Sequence, residues 1–431
     1  MAGGARESFD VAVVGGGPAG MMAAIFAAER GARVVLLERL DDLGRKLRAT
    51  GGGRCNLTNT RDRDAFLEAF GEKRRFVRPA IAAFDGAALR AFLAGRGVPT
   101  ESSDGVHVFP SSGSAHSVAD ALAALLGERG VEIRTHVSVV RIEVADGRAR
   151  GVAAAAGAWS ARAVVLAAGG KSYPGLGGTD AGYELAAALG HGLVPPVPAL
   201  AGIALGEAWA GECAGIVLPD VEIGIAEPGG TRRRGELLFT HRGISGPAAL
   251  DLSGDVAAAL LLRGAVPLAV DLAPGTSREA WVRRCEEWRR TAGRKRVRTM
   301  LGAAMPHALA ERVASAAGLA RDAACAHITR ESRERLAGAI AALPLTAVGT
   351  EGFEKAMATR GGVALCDVDA RTLSSRVVRG LFFAGEVLDV DGPCGGWNLQ
   401  WAFASGRLAG VSAARWVASG GSFAYDGGGG S

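Results

Sequence analysis

Four apolar residues in a row, Val11-Ala12-Val13-Val14, form the first unbroken run of the chain, the pattern of a strand covered on both faces. An alanine-rich stretch over 21–30 then reads as a helix and stops at Gly31. A second run, Val34-Val35-Leu36-Leu37, ends in Glu38. Further along, Val131-Glu132-Ile133 and residues 137–144 predict adjacent strands. A turn at Asp146-Gly147 and another strand near 151–155 follow. Residues 163–166 are fully apolar and lead into Ala167-Ala168-Gly169-Gly170, as a buried parallel strand feeding a glycine turn would. Strands alternating with helices in this way predict an α/β fold.

Pro195-Pro196-Val197-Pro198 is the strongest punctuation in the chain. Beyond it the texture changes. Alternation in Val221-Glu222-Ile223-Gly224-Ile225 predicts antiparallel strands, and Leu237-Leu238-Phe239-Thr240 predicts another. Residues 277–343 read as charged helices interrupted by Pro306 and Gly318, and Pro344 closes that section. From 361 onward the early texture returns. Leu381-Phe382-Phe383-Ala384 reads as a buried strand, Gly385-Glu386 follows, and a last helix is predicted over 398–418. The α/β domain is therefore expected to be discontinuous, with an insertion between its parts. No internal repeat is seen.

Between the first strand and the first helix lies Gly15-Gly16-Gly17-Pro18-Ala19-Gly20. With Glu38 closing the next strand, this is a βαβ unit carrying a dinucleotide fingerprint. Gly15 permits the tight turn, Gly17 lets a pyrophosphate approach the backbone, and Gly20 lets helix and sheet pack closely. The helix N-terminus offers unpaired N–H groups and partial positive charge to phosphate. A carboxylate at Glu38 suits the two hydroxyls of an adenosine ribose and repels a 2′-phosphate, an inference that the neighbouring Arg39 weakens.

Composition narrows the class. The chain has 431 residues, 48% of them hydrophobic, with 64 glycines, which suits two or three domains and close helix–sheet packing. A formal charge of +5 is small for this length. The cluster Arg294-Lys295-Arg296-Val297-Arg298 falls in a segment, 281–300, that reads as helix. A nucleic-acid protein would carry a larger excess with interleaved aromatics, and only three tyrosines are present. A solvated face is the favoured reading of the cluster, and nucleic acid is not an expected partner. The six cysteines are scattered without a CxxC pair, so neither a metal site nor a disulfide framework is expected. The polar N-terminus carries no signal peptide, and no apolar run approaches the ~18 residues of a membrane span. A cytoplasmic protein follows. Gly427-Gly428-Gly429-Gly430-Ser431 resembles an expression linker.

Three more glycine-rich stretches carry candidate chemistry. Lys46 and then Thr50-Gly51-Gly52-Gly53-Arg54-Cys55-Asn56-Leu57 follow the ribose acid; consecutive glycines allow an anion-binding concavity, and Lys46 and Arg54 add positive charge. In Phe239-Thr240-His241-Arg242-Gly243-Ile244-Ser245, the side chains of His241, Arg242 and Ser245 suit an anionic substrate or a proton transfer, or else satisfy a structural turn. Gly385-Glu386 opens a loop through Asp389 and Asp391 to Cys394-Gly395-Gly396-Trp397-Asn398-Leu399 at the start of the last helix. Acids near a strand end can bind ribityl hydroxyls. A second helix N-terminus can stabilise negative charge on a reduced isoalloxazine at its N1/O2 edge. A long ligand touching both ends of the chain suits FAD better than NAD. No second GxGxxG occurs, so a dedicated NAD(P) domain is not expected.

With these motifs the chain resembles the BaiN-type, aminoacetone oxidase-like family of FAD-dependent flavoproteins, in the two-dinucleotide-binding-domain superfamily. The stretches carrying the resemblance are 14–20, 50–59 (through GGGRCNLTN), 169–178 with Asp180-Ala181-Gly182-Tyr183, 239–247, Gly361-Gly362-Val363 and 383–403 (GEVLDVDG and GGWNLQWAF). The resemblance implies non-covalent FAD and a three-part body: a Rossmann-like FAD domain, a β-rich insertion and a small helical subdomain within it. Combined with the punctuation above, the expected boundaries are 1–193 (FAD domain), 194–275 (β-rich), 276–343 (helical), 344–360 (return to the β-rich part), 361–420 (FAD domain) and 421–431 (tail). It also implies a cofactor site built from Gly15, Gly17, Pro18, Ala19, Gly20, Glu38, Arg39, Lys46, residues 50–57, Val139, Ala168, Gly169, Gly385, Glu386, Asp391, Gly395, Gly396, Trp397, Asn398 and Leu399. Residues 354–360 depart from the family pattern, which has an acid and small residues before the GGV, so Arg360 marks a subgroup with a different substrate. Disulfide reductases of the superfamily carry Cys-x4-Cys after the corresponding loop; here Cys55 is matched by Thr60, which removes the resolving thiol.

The expected function is an FAD-dependent oxidoreductase taking hydride from a donor, NAD(P)H first, and passing electrons to a small organic acceptor with an activated C=C or C=O bond, or to oxygen. His241, Arg242 and Arg360 are the candidate substrate-side groups. An amine or aminoketone oxidase is the alternative within the class. A flavin-bound RNA-modification or redox-sensing protein is the alternative outside it.

Overall fold

The apolar runs become the centre of a seven-stranded sheet in the computed structural model, which describes residues 7–422. Residues 1–6, and 423–431 with the linker-like glycines, lie outside the described residues. The first strand (Glu7–Val14) runs parallel to Val34–Leu37 on one side and to Gly157–Leu166 on the other. Val11, Ala12 and Val13 are completely buried, as a parallel strand sandwiched by helices requires. Leu381–Phe383 pairs in parallel with the C-terminal half of Gly157–Leu166. Residues near the end of the chain thereby complete a sheet begun at its start.

The sheet corrects one sequence expectation. Residues 131–133 and 137–144 do not form neighbouring strands. Glu132–Arg134 pairs with Val34–Leu37 at one edge, whereas Val139–Ala145 sits at the opposite edge beyond Arg148–Ala154. Two short apolar runs separated by a few polar residues mimic a hairpin. His136, at a left-handed φ of 57°, instead turns the chain away.

The opening helix (Pro18–Ala28) is apolar on all sides and buried. One of its faces meets the closing helix (Trp397–Ala418) at backbone contact distance. A Cβ added at Gly406 would stand 2.2 Å from the Ala19 carbonyl oxygen, and one at Gly410 would stand 2.2 Å from that of Ala23. Four residues apart, these glycines share one helix face, so the groove they leave admits the other helix's backbone.

The described residues divide into a first unit, 7–196 with 357–422, and a second unit, Val197–Ala356. Pro195-Pro196-Val197-Pro198, read as punctuation, lies inside a strand, Leu193–Ala199, which forms a two-stranded ribbon with Ala358–Val363. A two-stranded ribbon leaves an outer edge on each strand where proline's missing N–H is tolerated. The second unit is a closed six-stranded barrel in the order Ile203–Leu205, Gly243–Ser245, Arg232–Thr240, Val217–Ile225, Val266–Asp271, Leu343–Thr350. Its core, around Ile223, Phe239 and Ile244, is continuous with that of the helices Arg278–Thr291, His307–Ala316 and Arg330–Ala341. The single helix expected over 281–300 breaks at Thr291 and restarts as Val297–Leu301, which leaves Arg294, Lys295 and Arg296 exposed in the connection. The interruption contains Gly293, a poor helix former. Among the described residues, no helix is long and apolar enough to cross a membrane.

The helix contact predicts a contrast. Gly406→Ala and Gly410→Ala are each expected to destabilise by about 1–3 kcal/mol through overpacking. Gly338→Ala, in a helix where a Cβ meets nothing within 4 Å, is expected to be neutral or mildly stabilising. Thermal unfolding of the three variants checks this.

Candidate functional site

The glycine turn assigns a separate task to each glycine. Gly15 has φ +106°, and its Cβ would lie 2.4 Å from the Ala167 carbonyl oxygen, so only glycine fits there. Gly20 lies against the turn itself, with the Gly15 carbonyl oxygen 1.8 Å from where a Cβ would be. Gly17 differs. Its φ of −74° and ψ of 179° are open to any residue, and a Cβ there would meet nothing within 4 Å. Its missing side chain serves something outside the chain. It also caps the opening helix without a side-chain hydrogen bond, and Pro18 occupies the first turn, so that helix end is built for an external acceptor. Glu38 is fixed by two backbone donors, Gly16 N–H to Oε2 at 2.6 Å and Leu40 N–H to Oε1 at 2.8 Å.

These residues line a cavity of about 1220 Å³ within the first unit. It exceeds the ~300–1,000 Å³ of ordinary small-molecule pockets and suits a dinucleotide-sized ligand. Glu38 and Arg39 are among its lining residues, with Gly15, Gly17, Pro18 and Ala19 of the glycine turn. Val139, Ala168, Gly169, Lys46, Thr50, Glu386, Asn398 and Leu399 also line it.

Glu386 organises the interior. Its Oε2 accepts from Lys46 Nζ at 2.8 Å and from Gly170 N–H at 3.3 Å; its Oε1 accepts from Thr359 N–H at 2.7 Å and from Ser172 Oγ at 3.3 Å. Lys46 also donates to Ser172 Oγ. Thr359 Oγ1 accepts the backbone N–H groups of Lys171 and Ser172. A Cβ at Gly170 would sit 2.8 Å from the Glu386 carboxyl carbon, so the glycine makes room for that carboxylate. Burial, and then the negative charge of Glu386, push the Tyr183 phenol well above its ordinary value.

The approach to the closing helix is held just as tightly. Gly395 and Gly396 take φ of +115° and +92°, and a Cβ at Gly396 would overlap the Thr58 carbonyl. Asn59 Nδ2 donates to the Gly395 oxygen at 3.1 Å. Asn398 Oδ1 accepts from Gly392 N–H, and its Nδ2 donates to the Gly392 oxygen. Trp397 Nε1 donates to the Phe66 oxygen. Asp391 is packed away from the cavity, 2.8 Å from Lys73 and 2.9 Å from Arg360. Burial would raise its pKa, but the Arg360 and Lys73 cations hold its carboxyl below the ordinary range. Arg360 is thus engaged in a structural ion pair.

The remaining candidates fall elsewhere. Gly51, Gly52 and Gly53 take left-handed φ values in a loop outside the lining, and the Arg54 guanidinium lies over Phe109 at 5.0 Å. Cys55 and Leu57 are core residues, and Asn56 Oδ1 is a buried oxygen without a hydrogen-bond partner. Burial pushes the Cys55 thiol up to about 12. Gly385, also outside the lining, donates its N–H to Ser405 Oγ at 2.9 Å. His241 and Arg242 belong to the second unit, exposed at the turn between Arg232–Thr240 and Gly243–Ser245. Sequence reasoning missed Ser172 and Thr359, partners of Glu386.

The donor set fits FAD. The open space at Gly17, the uncapped helix end and the anchored Glu38 are each features that a long polar ligand would complete. Residues 9–412 match the HI0933-like protein Rossmann domain. The chain therefore belongs to the HI0933-like family. Within it, this is a BaiN-like FAD-dependent oxidoreductase. It is 33% identical to a 3-dehydro-bile acid delta(4,6)-reductase of Clostridium scindens, over 94% of this chain and 98% of that protein. It is 30% identical to a ribosomal RNA dihydrouridine synthase of Haemophilus influenzae, again over 94% of this chain and 98% of the relative. Among solved structures, the E. coli quinol fumarate reductase FrdA shares the fold at a TM-score of 0.51 and 18% identity, covering 97% of this chain and 72% of that one.

Two outcomes follow. Gly17→Val is expected to destabilise the apoprotein only modestly, by about 1 kcal/mol from the poorer helix cap, and to lower FAD occupancy at least tenfold, measured by the flavin absorbance of the purified protein. At pH 8 the buried Cys55 thiol, about 12, is ionised on the order of one part in ten thousand. Iodoacetamide is then expected to label exposed Cys366 and spare Cys55 until the protein is denatured, as read by peptide mass spectrometry.

Proposed function

We propose that this chain saturates a C=C bond conjugated to a carbonyl, with a reduced nicotinamide as hydride donor. The observation that carries the reading is the convergence, in one cavity, of two helix starts from opposite ends of the chain. Gly17-Pro18 and Asn398-Leu399 both line it, as does Glu38. In this reading the Gly15–Gly17 turn and Lys46 hold the pyrophosphate, Glu38 holds the adenosine ribose, and Glu386 holds the ribityl chain. The start of the closing helix faces the pyrimidine edge of the isoalloxazine. Bound flavin supplies hydride transfer. The chain orients it, excludes water and sets the local charge. His241 and Arg242 are proposed as substrate-side polar groups; Arg360 acts at one remove, by positioning Asp391.

The acceptor class is supported by what the names of two relatives share. A delta(4,6)-reductase of a 3-dehydro bile acid and a synthase of dihydrouridine both add hydrogen across a C=C bond conjugated to a carbonyl. The steroid and the pyrimidine differ; the bond does not. RNA-borne uracil is the second substrate reading, favoured by the two dihydrouridine synthases at 30% identity and by the exposed Arg294, Lys295 and Arg296. Salt-dependent RNA retention tests it, because phosphate contacts weaken steeply with ionic strength.

Anaerobic stopped-flow absorbance tests the main reading. NADH or NADPH is expected to bleach the bound flavin, and a cyclic enone is expected to restore the oxidised spectrum within the turnover time. Flavin that no nicotinamide bleaches removes the donor. Reduced flavin that oxygen reoxidises but no enone does removes the acceptor class.

A further inference from the structure

The loop that leaves the strand Gly157–Leu166 doubles back on itself. At its neck, Thr179 N–H donates to the Gly170 oxygen at 3.2 Å, and a Cβ at Gly178 would stand 2.2 Å from the Ser172 oxygen. Lys171 and Asp180 pair across the same neck at 2.9 Å. Ser172 is held from below by Thr359, Lys46 and Glu386. The tip is a turn of its own: the N–H groups of Leu176 and Gly178 both donate to the Tyr173 oxygen, and Tyr173 takes a left-handed φ of 52°. Such a loop, with its ends together and its tip bonded to itself, is a compact unit. Pro174 and Gly175, at its outermost point, are exposed, so its outer face meets solvent.

The tip is fastened to a distant part of the chain. Arg39 Nη2 donates to the Gly177 oxygen at 3.2 Å. Leu40 packs so near Gly177 that a Cβ there would stand 2.8 Å from Leu40 Cδ1. Gly177 has φ +104°, a conformation that glycine adopts without strain. Arg39 and Leu40 follow the strand Val34–Leu37, whereas the loop follows Gly157–Leu166. Glu7–Val14 lies between these two strands and parallel to both. The loop therefore spans two strand spacings, about 10 Å, past the end of the strand that feeds the Gly15–Gly17 turn. Leu176, Gly177 and Thr179 line the same cavity as Arg39, Gly15 and Gly17.

We propose that residues 171–178 are a strap over the flavin cavity, that the contact of Arg39 and Leu40 with Gly177 is its latch, and that FAD enters and leaves when the latch opens. This rests on the reading of the cavity as the FAD site. Both halves of the latch belong to the chain, so it fastens the strap in the free and the loaded protein alike. It slows entry and exit by one common factor and leaves the balance between them nearly unchanged. An arginine that touched the flavin instead would slow exit alone. The latch is one exposed hydrogen bond and one apolar contact, a weak fastening beside the bonds of the neck. It opens while the loop stays folded.

Two rates test this. Mixing apoprotein with FAD gives the rate of entry, read by the change in flavin absorbance. Exchange of bound FAD for labelled FAD gives the rate of exit. Arg39→Ala is expected to raise both rates at least threefold and to leave the Kd within twofold of wild type. Leu40→Ala, which loosens the same contact without touching the charge, is expected to do the same. Faster exit with unchanged entry in Arg39→Ala makes the arginine a flavin contact and overturns the proposal. Wild-type rates in both variants overturn it as well, and leave the FAD site standing. A wild-type chain that takes up no FAD removes the site, and the strap's role with it.

Discussion

The backbone contact between the opening and closing helices is the constraint on which the rest of the structure depends. Gly406 and Gly410 have no side chains to hold the helices apart, and the carbonyls of Ala19 and Ala23 occupy the space a Cβ would need. Axes brought this close place the N-terminal turns of both helices at one cavity. Had either glycine been leucine, the helices would separate to the ~8–10 Å typical of helix packing, and two half-sites would lie apart. The same contact explains why the closing helix is buried along most of its length despite its modest amphipathicity. Its partner is a backbone groove rather than one apolar stripe.

Within that frame, the cavity is arranged by charges that are already paired. Lys46 and Glu386 lie 2.8 Å apart with about a quarter of each side chain exposed. Lys73, Asp389, Asp391 and Arg360 form a second group that ties the loop before the closing helix to the strand Ala358–Val363. Removing one member of such a group leaves a partner charge without compensation, a larger loss than the pair itself is worth. The path of the glycine-rich loop at 391–396 is thus held by ion pairs and by the two-way bond between Asn398 and Gly392, while the glycines permit it.

The parts of the site legible in the sequence were those where one residue type answers one local demand. Gly15 and Gly20 are required by their immediate neighbours, Gly17 by empty space, and Glu38 by its place at a strand end. Those features read the same before and after folding. The unread parts depend on partners distant in sequence. Ser172 and Thr359 meet at Glu386 only because the ribbon Leu193–Ala199/Ala358–Val363 returns the chain to the first unit. Asp391 looked like a ligand acid because its basic partners, Lys73 and Arg360, lie far away in the chain. The strand at 132–134 was misplaced because periodicity reports burial but not which neighbour supplies the hydrogen bonds.

The parallel sheet also dictates an order of events during synthesis. The strand Gly157–Leu166 leaves the ribosome early, yet the neighbour that covers its C-terminal half, Leu381–Phe383, is made 217 residues later. At the usual ~5–20 residues per second, that interval is about 10–40 s. Throughout it the nascent chain carries an apolar, half-paired strand edge, and by its end the inserted barrel, whose last strand is Leu343–Thr350, has all its strands. A chain ending before Leu381 would therefore carry every strand of the insertion but leave the Val164-Val165-Leu166 edge of the sheet open.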